Sequence, residues 1–150
     1  MAPESFIVSC PECGARNRIP ARRTGEPARC GRCKAPLAPA ALFPETPVDA
    51  DERTFRAEVL DFTGPVAVLF WATWCIHCRR LMPVFDELAG ELAGRIKFVK
   101  VVTDRNQDLA SQYDVLSLPA ILLFRQGHPV NRLLGALPKN QLEYGLRALL

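Results

Sequence analysis

No stretch of this 150-residue chain approaches the roughly 18 uninterrupted apolar residues of a membrane-spanning helix, so no membrane partner is expected. Its start also lacks a basic patch followed by an apolar run. That speaks against a secretory leader and makes a reducing cytoplasm the expected compartment. Large apolar residues are scarce in the first 36 positions, chiefly Phe6, Ile7, Val8 and Ile19. That segment cannot fold on a core of its own. Net charge is small, +3, with 49% apolar and 23% charged residues overall, an ordinary balance that excludes a largely disordered chain.

What the chain does have is cysteine in a pattern. All six fall in C-x-x-C pairs: Cys10 with Cys13, Cys30 with Cys33, and Cys75 with Cys78. Random placement of six cysteines would give about 0.2 such pairs, so the spacing carries chemistry. In a reducing compartment that chemistry is metal ligation or redox exchange rather than structural disulfides.

The first two pairs form C-x2-C-x16-C-x2-C, in which each turn aims two sulfurs at one point and two turns complete a tetrahedron. One structural zinc per chain, bound by Cys10, Cys13, Cys30 and Cys33, is the expected cofactor. It would supply the stability that the segment's few apolar residues cannot. Iron, two disulfides or a second catalytic dithiol are the rival readings of the same spacing. Gly14 and Gly31 are expected to give the knuckles their permissive backbone. The segment carries seven Lys/Arg against three Glu, but four thiolates and one divalent ion bring it to about +2. With Phe6 its only aromatic residue, a nucleic-acid ribbon is disfavoured and no nucleic-acid partner is expected.

Four prolines lie within residues 36–47, which interrupts helix and sheet. The expected domains are therefore a zinc module over 1–36, a Pro-rich linker over 37–47 and a second domain over 48–150. The second domain reads as helix at 51–60, a turn at Thr63-Gly64-Pro65, and a central strand from Val66 to Trp71. A helix from Cys75 to about Ala93 follows, with Leu81, Phe85, Leu88 and Leu92 on one face. A strand near 96–102, a short helix near 107–113, a strand at 120–124, a reversal at 126–128 into 130–134, and a helix opened by Pro138 complete it. Strands alternating with helices imply an α/β fold with a mixed sheet between helical layers.

The third pair follows the central strand and opens a helix, where free amide donors and the helix dipole favour a thiolate. Cys75 is expected to attack a substrate disulfide and Cys78, one turn inside, to resolve the mixed disulfide. His128, in a turn, is given no role.

W-A-x-W-C-x-x-C, Pro83 five residues beyond Cys78, Leu116-Ser117-Leu118-Pro119-Ala120 and Gly135-Ala136 resemble the thioredoxin family over residues 48–150. The four-cysteine head with Asn17-Arg18-Ile19-Pro20 resembles the zinc-binding bacterial thioredoxins of the thioredoxin-2 type. The resemblance implies a thioredoxin fold with a zinc-ribbon-like module, protein-disulfide reductase activity and no bound organic cofactor. It implies protein disulfide substrates, recharging by an NADPH-dependent flavin thioredoxin reductase or a glutathione system, and a monomer. It also implies a cis Pro119 beside Cys75, substrate hydrogen bonds from the Leu118 backbone, and Trp74 and Gly135 bordering the groove. Plain packing and turn geometry are the alternative roles of Trp71, Trp74 and Gly135.

Two positions depart from the family pattern. Ile76-His77 replaces the usual Gly-Pro, and Leu69 replaces a buried aspartate. Lys100, deprived of that partner, is expected to be a solvated strand-end lysine. His77 is either a tuning residue or an inert exposed side chain. Both departures suggest a couple more oxidising than ordinary thioredoxin. A different class of function, a partner-specific redox adapter or sensor docked by its zinc module, fits the same residues.

Overall fold

The computed structural model describes residues 5–20, 28–37, 43–62 and 64–150. Residues 38–42 of the expected linker and Thr63 of the expected turn lie outside them.

The head consists of two short antiparallel hairpins. β1 (Ser5–Ser9) pairs with β2 (Arg16–Pro20), and β3 (Ala28–Arg29) pairs with β4 (Pro36–Leu37). Their shared core is Cys10, Ile19, Cys30 and Leu37, with Val8, Cys13 and three alanines against it. Leu37, placed by its sequence neighbours in the linker, is thus a core residue of the head. Phe43, assigned to the same linker, is buried and meets Phe62 edge to face at 5.3 Å.

The remaining strands form one sheet in the order β5 (Val48–Asp49), β7 (Lys97–Val102), β6 (Val66–Trp71), β8 (Ala120–Arg125), β9 (His128–Leu134). β5, β7 and β6 run parallel; β8 and β9 are antiparallel to their neighbours. Central β6 is apolar at every position because both its faces are covered. Ala67 and Leu69 pack towards α1 (Ile76–Glu91) and α3 (Lys139–Arg147) with Leu81, Phe85, Leu88, Leu142 and Leu146. Val66, Val68 and Phe70 face Phe55, Val59 and Leu109, the last from α2 (Gln107–Gln112). This is a mixed sheet between helical layers, the thioredoxin architecture.

Residues 51–60 differ from the regular helix expected of them. Asp51 Oδ1 accepts the amides of Arg53 and Thr54 at 2.8 and 3.0 Å, closing a turn before any helix begins. Only Arg56–Leu60 continues, as a π-helical turn in which Asp61 N–H reaches Arg56 O at 2.7 Å. Lys97, almost buried, donates to the Glu58 carbonyl at 2.9 Å and lies over the Phe62 ring. A lysine thus claims one of the carbonyls that a longer helix would have needed.

Candidate active site and metal centre

β6 delivers the chain to Ala72, and the polypeptide turns once before α1. Three contacts brace that turn. Thr103 Oγ1 donates to Trp71 O at 3.1 Å, Thr73 Oγ1 to Asp104 Oδ2 at 2.7 Å, and Arg79 to Thr73 O at 2.6 Å. The Thr73 hydroxyl holds the Asp104 carboxyl below its usual range.

Cys75 occupies the N-cap of α1, where its Sγ accepts the Cys78 N–H at 3.2 Å. It has little alternative, because the first amides of a helix have no backbone acceptors. Cys75 and Cys78 are closed as a disulfide with their Cα atoms 5.3 Å apart. Both cysteines are buried, Cys75 retaining 6% exposure and Cys78 none.

Leu118 packs against these two cysteines and Ala72, as does Trp71. The Leu118-Pro119 bond is cis. Pro119 O accepts the Gly135 N–H at 2.9 Å, and Gly135 adopts φ +83°, a region that a side chain would strain. The expected groove residues therefore come from three separate segments, and this hydrogen bond ties two of them. Trp74 and Ile76 are exposed on either side of Cys75, and His77 also faces solvent. Trp71 is half-buried, and its buried Nε1 is unpartnered among the described residues.

In the head, the two knuckles repeat one design. Cys10 N–H donates to Ala15 O, and Cys30 N–H to Ala35 O, each at 2.8 Å. Gly14 N–H returns to Cys10 O at 2.9 Å, and Lys34 N–H to Cys30 O at 3.0 Å. Cys10 and Cys33 sulfurs lie 3.5 Å apart, those of Cys13 and Cys30 3.6 Å, and all four fall within 4.8 Å of one another. A tetrahedral ion with bonds of about 2.3 Å sets its sulfurs about 3.8 Å apart, so the donor set fits zinc. The Cys33 and Arg32 amides lower the Cys30 thiol to about 6, favouring the thiolate that a metal takes.

The left-handed position of the second knuckle is not the glycine expected from sequence. Gly14 is left-handed at φ +77°, but its equivalent is Lys34 at φ +66°, not Gly31. Gly31 instead donates its N–H to Asn17 Oδ1 at 2.9 Å, while Asn17 Nδ2 reaches Ala15 O at 3.2 Å and Val8 O at 3.4 Å. Asn17 therefore latches one hairpin to the other. Its neighbours along the chain give no hint of this, because its partner is 14 residues away.

Residues 46–148 match the family model described as "Thioredoxin", and residues 9–35 match "Thioredoxin 2, N-terminal", a zinc-ribbon model. The chain belongs to the thioredoxin family. Among similar proteins, Thioredoxin 1 of Nostoc sp. is 47% identical over 95 residues, covering 63% of this chain and 89% of that one. Thioredoxin C-2 of Corynebacterium nephridii is 41% identical, covering 65% and 90%. Chloroplastic Thioredoxin M4 of Arabidopsis thaliana is 34% identical over 139 residues, covering 93% and 69%. This thioredoxin is accordingly a thiol-disulfide oxidoreductase acting on proteins. Among the described residues, no helix is long and apolar enough to cross a membrane.

Against the family pattern, Leu69 is fully buried in an apolar cluster, opposite Lys100 on the neighbouring strand. Lys100 is not the solvated lysine expected. It is 14% exposed at its side chain and paired to Asp86 of α1 at 2.8 Å. Asp86 carried no signal in the sequence.

Proposed function

We propose that this thioredoxin is a cytoplasmic, monomeric protein-disulfide reductase in which Cys75 attacks and Cys78 resolves, with a couple more oxidising than an ordinary thioredoxin. The observation that carries the assignment is Cys75 at the cap of α1, with its sulfur on the Cys78 amide. That donor favours the thiolate, which is the nucleophile. Trp74, Ile76, His77, Leu118, Pro119 and Gly135 form the tuning and substrate-binding surroundings. Cys10, Cys13, Cys30 and Cys33 hold one structural zinc, leaving no open position for catalysis. The reduced state is restored by an NADPH-dependent flavin thioredoxin reductase or by the glutathione system.

The oxidising character follows from two residues. His77 next to Cys78 offers a positive or hydrogen-bonding group to the reduced state, which alone carries thiolate charge. Leu69 removes a buried carboxylate that would oppose that charge. Stabilising the reduced form by roughly 2.3 kcal/mol raises a two-electron couple by about 50 mV. The expected potential is about −220 mV, against about −270 mV for thioredoxin. Equilibration with glutathione measures it, and a value at or below about −270 mV rejects the tuning argument. Insulin reduction, abolished by Cys75→Ser, tests the activity separately.

A further inference from the structure

The basic side chains described in the head, Arg16, Arg18, Arg29, Arg32 and Lys34, are all exposed. Among the described residues none of them meets a carboxylate, and the ion pairs, such as Lys97 with Glu58 and Lys139 with Glu87, lie in the body. Arg18 donates to Ser5 Oγ at 3.4 Å, Arg29 to Lys34 O at 3.2 Å and Lys34 to Gly31 O at 3.3 Å. These acceptors are neutral, so the charges stay uncompensated. Glu12 is the one acid among the described head residues.

Two of the cations share a face. Ser9 lies opposite Arg16 and Ile7 opposite Arg18 in the β1–β2 pairing, while Ile19 belongs to the core of the head. Alternation along the strand therefore directs Arg16 and Arg18 away from that core, with Ile7, 42% exposed, beside them. Guanidinium forks match carboxylates, and an aliphatic side chain between them matches a hydrocarbon one. A nucleic-acid backbone would leave Ile7 unused.

The face is tethered to the redox domain. Leu37 is in the core of the head, and Phe43, six residues on, is buried against Phe62. Its carbonyl accepts the Gly94 N–H at 3.2 Å, just past the end of α1. Six extended residues span about 20 Å, and the 16-residue α1 covers about 24 Å back towards Cys75. A segment held by the head thus stays within a few tens of ångströms of the redox pair, which raises its effective concentration there.

We propose that the outer face of the β1–β2 hairpin, with Arg16, Arg18 and Ile7, docks acidic, partly apolar segments of substrate proteins and holds their disulfides within reach of Cys75. The inference rests on Cys75 as the attacking thiol of a protein-disulfide reductase. Docking acts on the encounter and not on the exchange, so it raises kcat/KM for substrates that carry such a segment. A small disulfide gains nothing from it.

Two synthetic substrates with the same disulfide loop and a Gly/Ser spacer of about 15 residues test this against prereduced full-length protein. One ends in a tract of Asp, Glu and Leu, the other in the same tract with Asn and Gln for the acids. At low salt the acidic substrate should have a kcat/KM at least about tenfold higher, and at about 0.5 M salt the ratio should fall towards one. Arg16→Gln/Arg18→Gln should reduce the low-salt ratio about fivefold and leave the neutral substrate's rate unchanged. Both side chains are exposed and Arg16 makes no side-chain hydrogen bond among the described residues, so the hairpin survives the change. A wild-type ratio within about twofold, or one unchanged in the Gln variant, overturns the docking face while leaving the reductase intact. An undiminished preference with a spacer of about two residues would place the cations beside Cys75 and also overturns it. Reduction of neither substrate overturns the role of Cys75 first. Tighter binding of a mixed-sequence oligonucleotide than of the acidic tract, lost in the Gln variant, would make nucleic acid the occupant and overturn the proposal.

Discussion

Leu69 and Lys100 are register partners on adjacent parallel strands, close enough for side chains on one face to meet. An aspartate at 69 would therefore find a cation beside it, in competition with Asp86. Leu69→Asp should speed insulin reduction several-fold, because a base near Cys78 can take its proton during resolution. The burial of a carboxylate among apolar residues should cost about 1–3 kcal/mol of stability. Stopped-flow reduction and a thermal melt read the two effects; an unchanged or slower rate in a folded variant refutes the missing-base argument. His77→Pro should move the potential downward on the same glutathione scale. Asn17 acts in the head. Asn17→Ala removes the bond from Asn17 Oδ1 to the Gly31 amide of the other knuckle and should weaken zinc retention about 10- to 100-fold, as loss of outer-shell partners does. Competition with a chromophoric chelator measures this, and retention equal to wild type would leave Asn17 without that role.

Among the elements, α1 does most to separate the roles of its two cysteines. Its cap leaves Cys75 6% exposed, while its first turn buries Cys78 completely. Brief alkylation of the reduced protein, mapped by mass spectrometry, should label Cys75 first; preferential labelling of Cys78 would reverse the assigned order. The turn before the π-helical segment has a pH signature. Asp51 is held below its usual range by the Thr54 amide first and then by that of Arg53. A carboxyl with a depressed folded pKa stabilises the fold above its unfolded pKa of about 3.9 and loses that contribution as pH falls through the folded value. Asp51→Asn should therefore melt a few degrees below wild type at pH 7, and the two curves should converge in strong acid. A difference that persists at the acid end would place the effect elsewhere than in this charge.

At the scale of the molecule, the head and the sheet domain have unequal means of support. The sheet has two apolar layers, whereas among the described residues the head buries Ile19 and Leu37 as its large side chains beside two cysteines. Purified protein should contain one zinc per chain. Stripping it should make the head protease-sensitive while the body keeps insulin reduction within about twofold. A metal-free protein with an intact, protease-resistant head would refute the structural role of the metal, and iron with its colour would correct its identity.

The sequence by itself determined the features that depend on near neighbours. Cys75 caps a helix because a buried strand ends four residues before it and an amphipathic run begins after it. The four head cysteines converge because each C-x-x-C closes its own turn. The core strands were legible because the cover on both their faces forbids polar residues. Tertiary structure alone decided which distant groups meet. Lys34 rather than Gly31 took the left-handed position, since the two knuckles align by hydrogen-bond pattern and not by glycine content. Asn17 found Gly31, Lys100 found Asp86, Lys97 found the Glu58 carbonyl, and Arg132 found the loop of Leu116. Each of these pairings depends on strand register and helix packing, which bring residues far apart in the chain within a few ångströms, and no spacing along the chain records them.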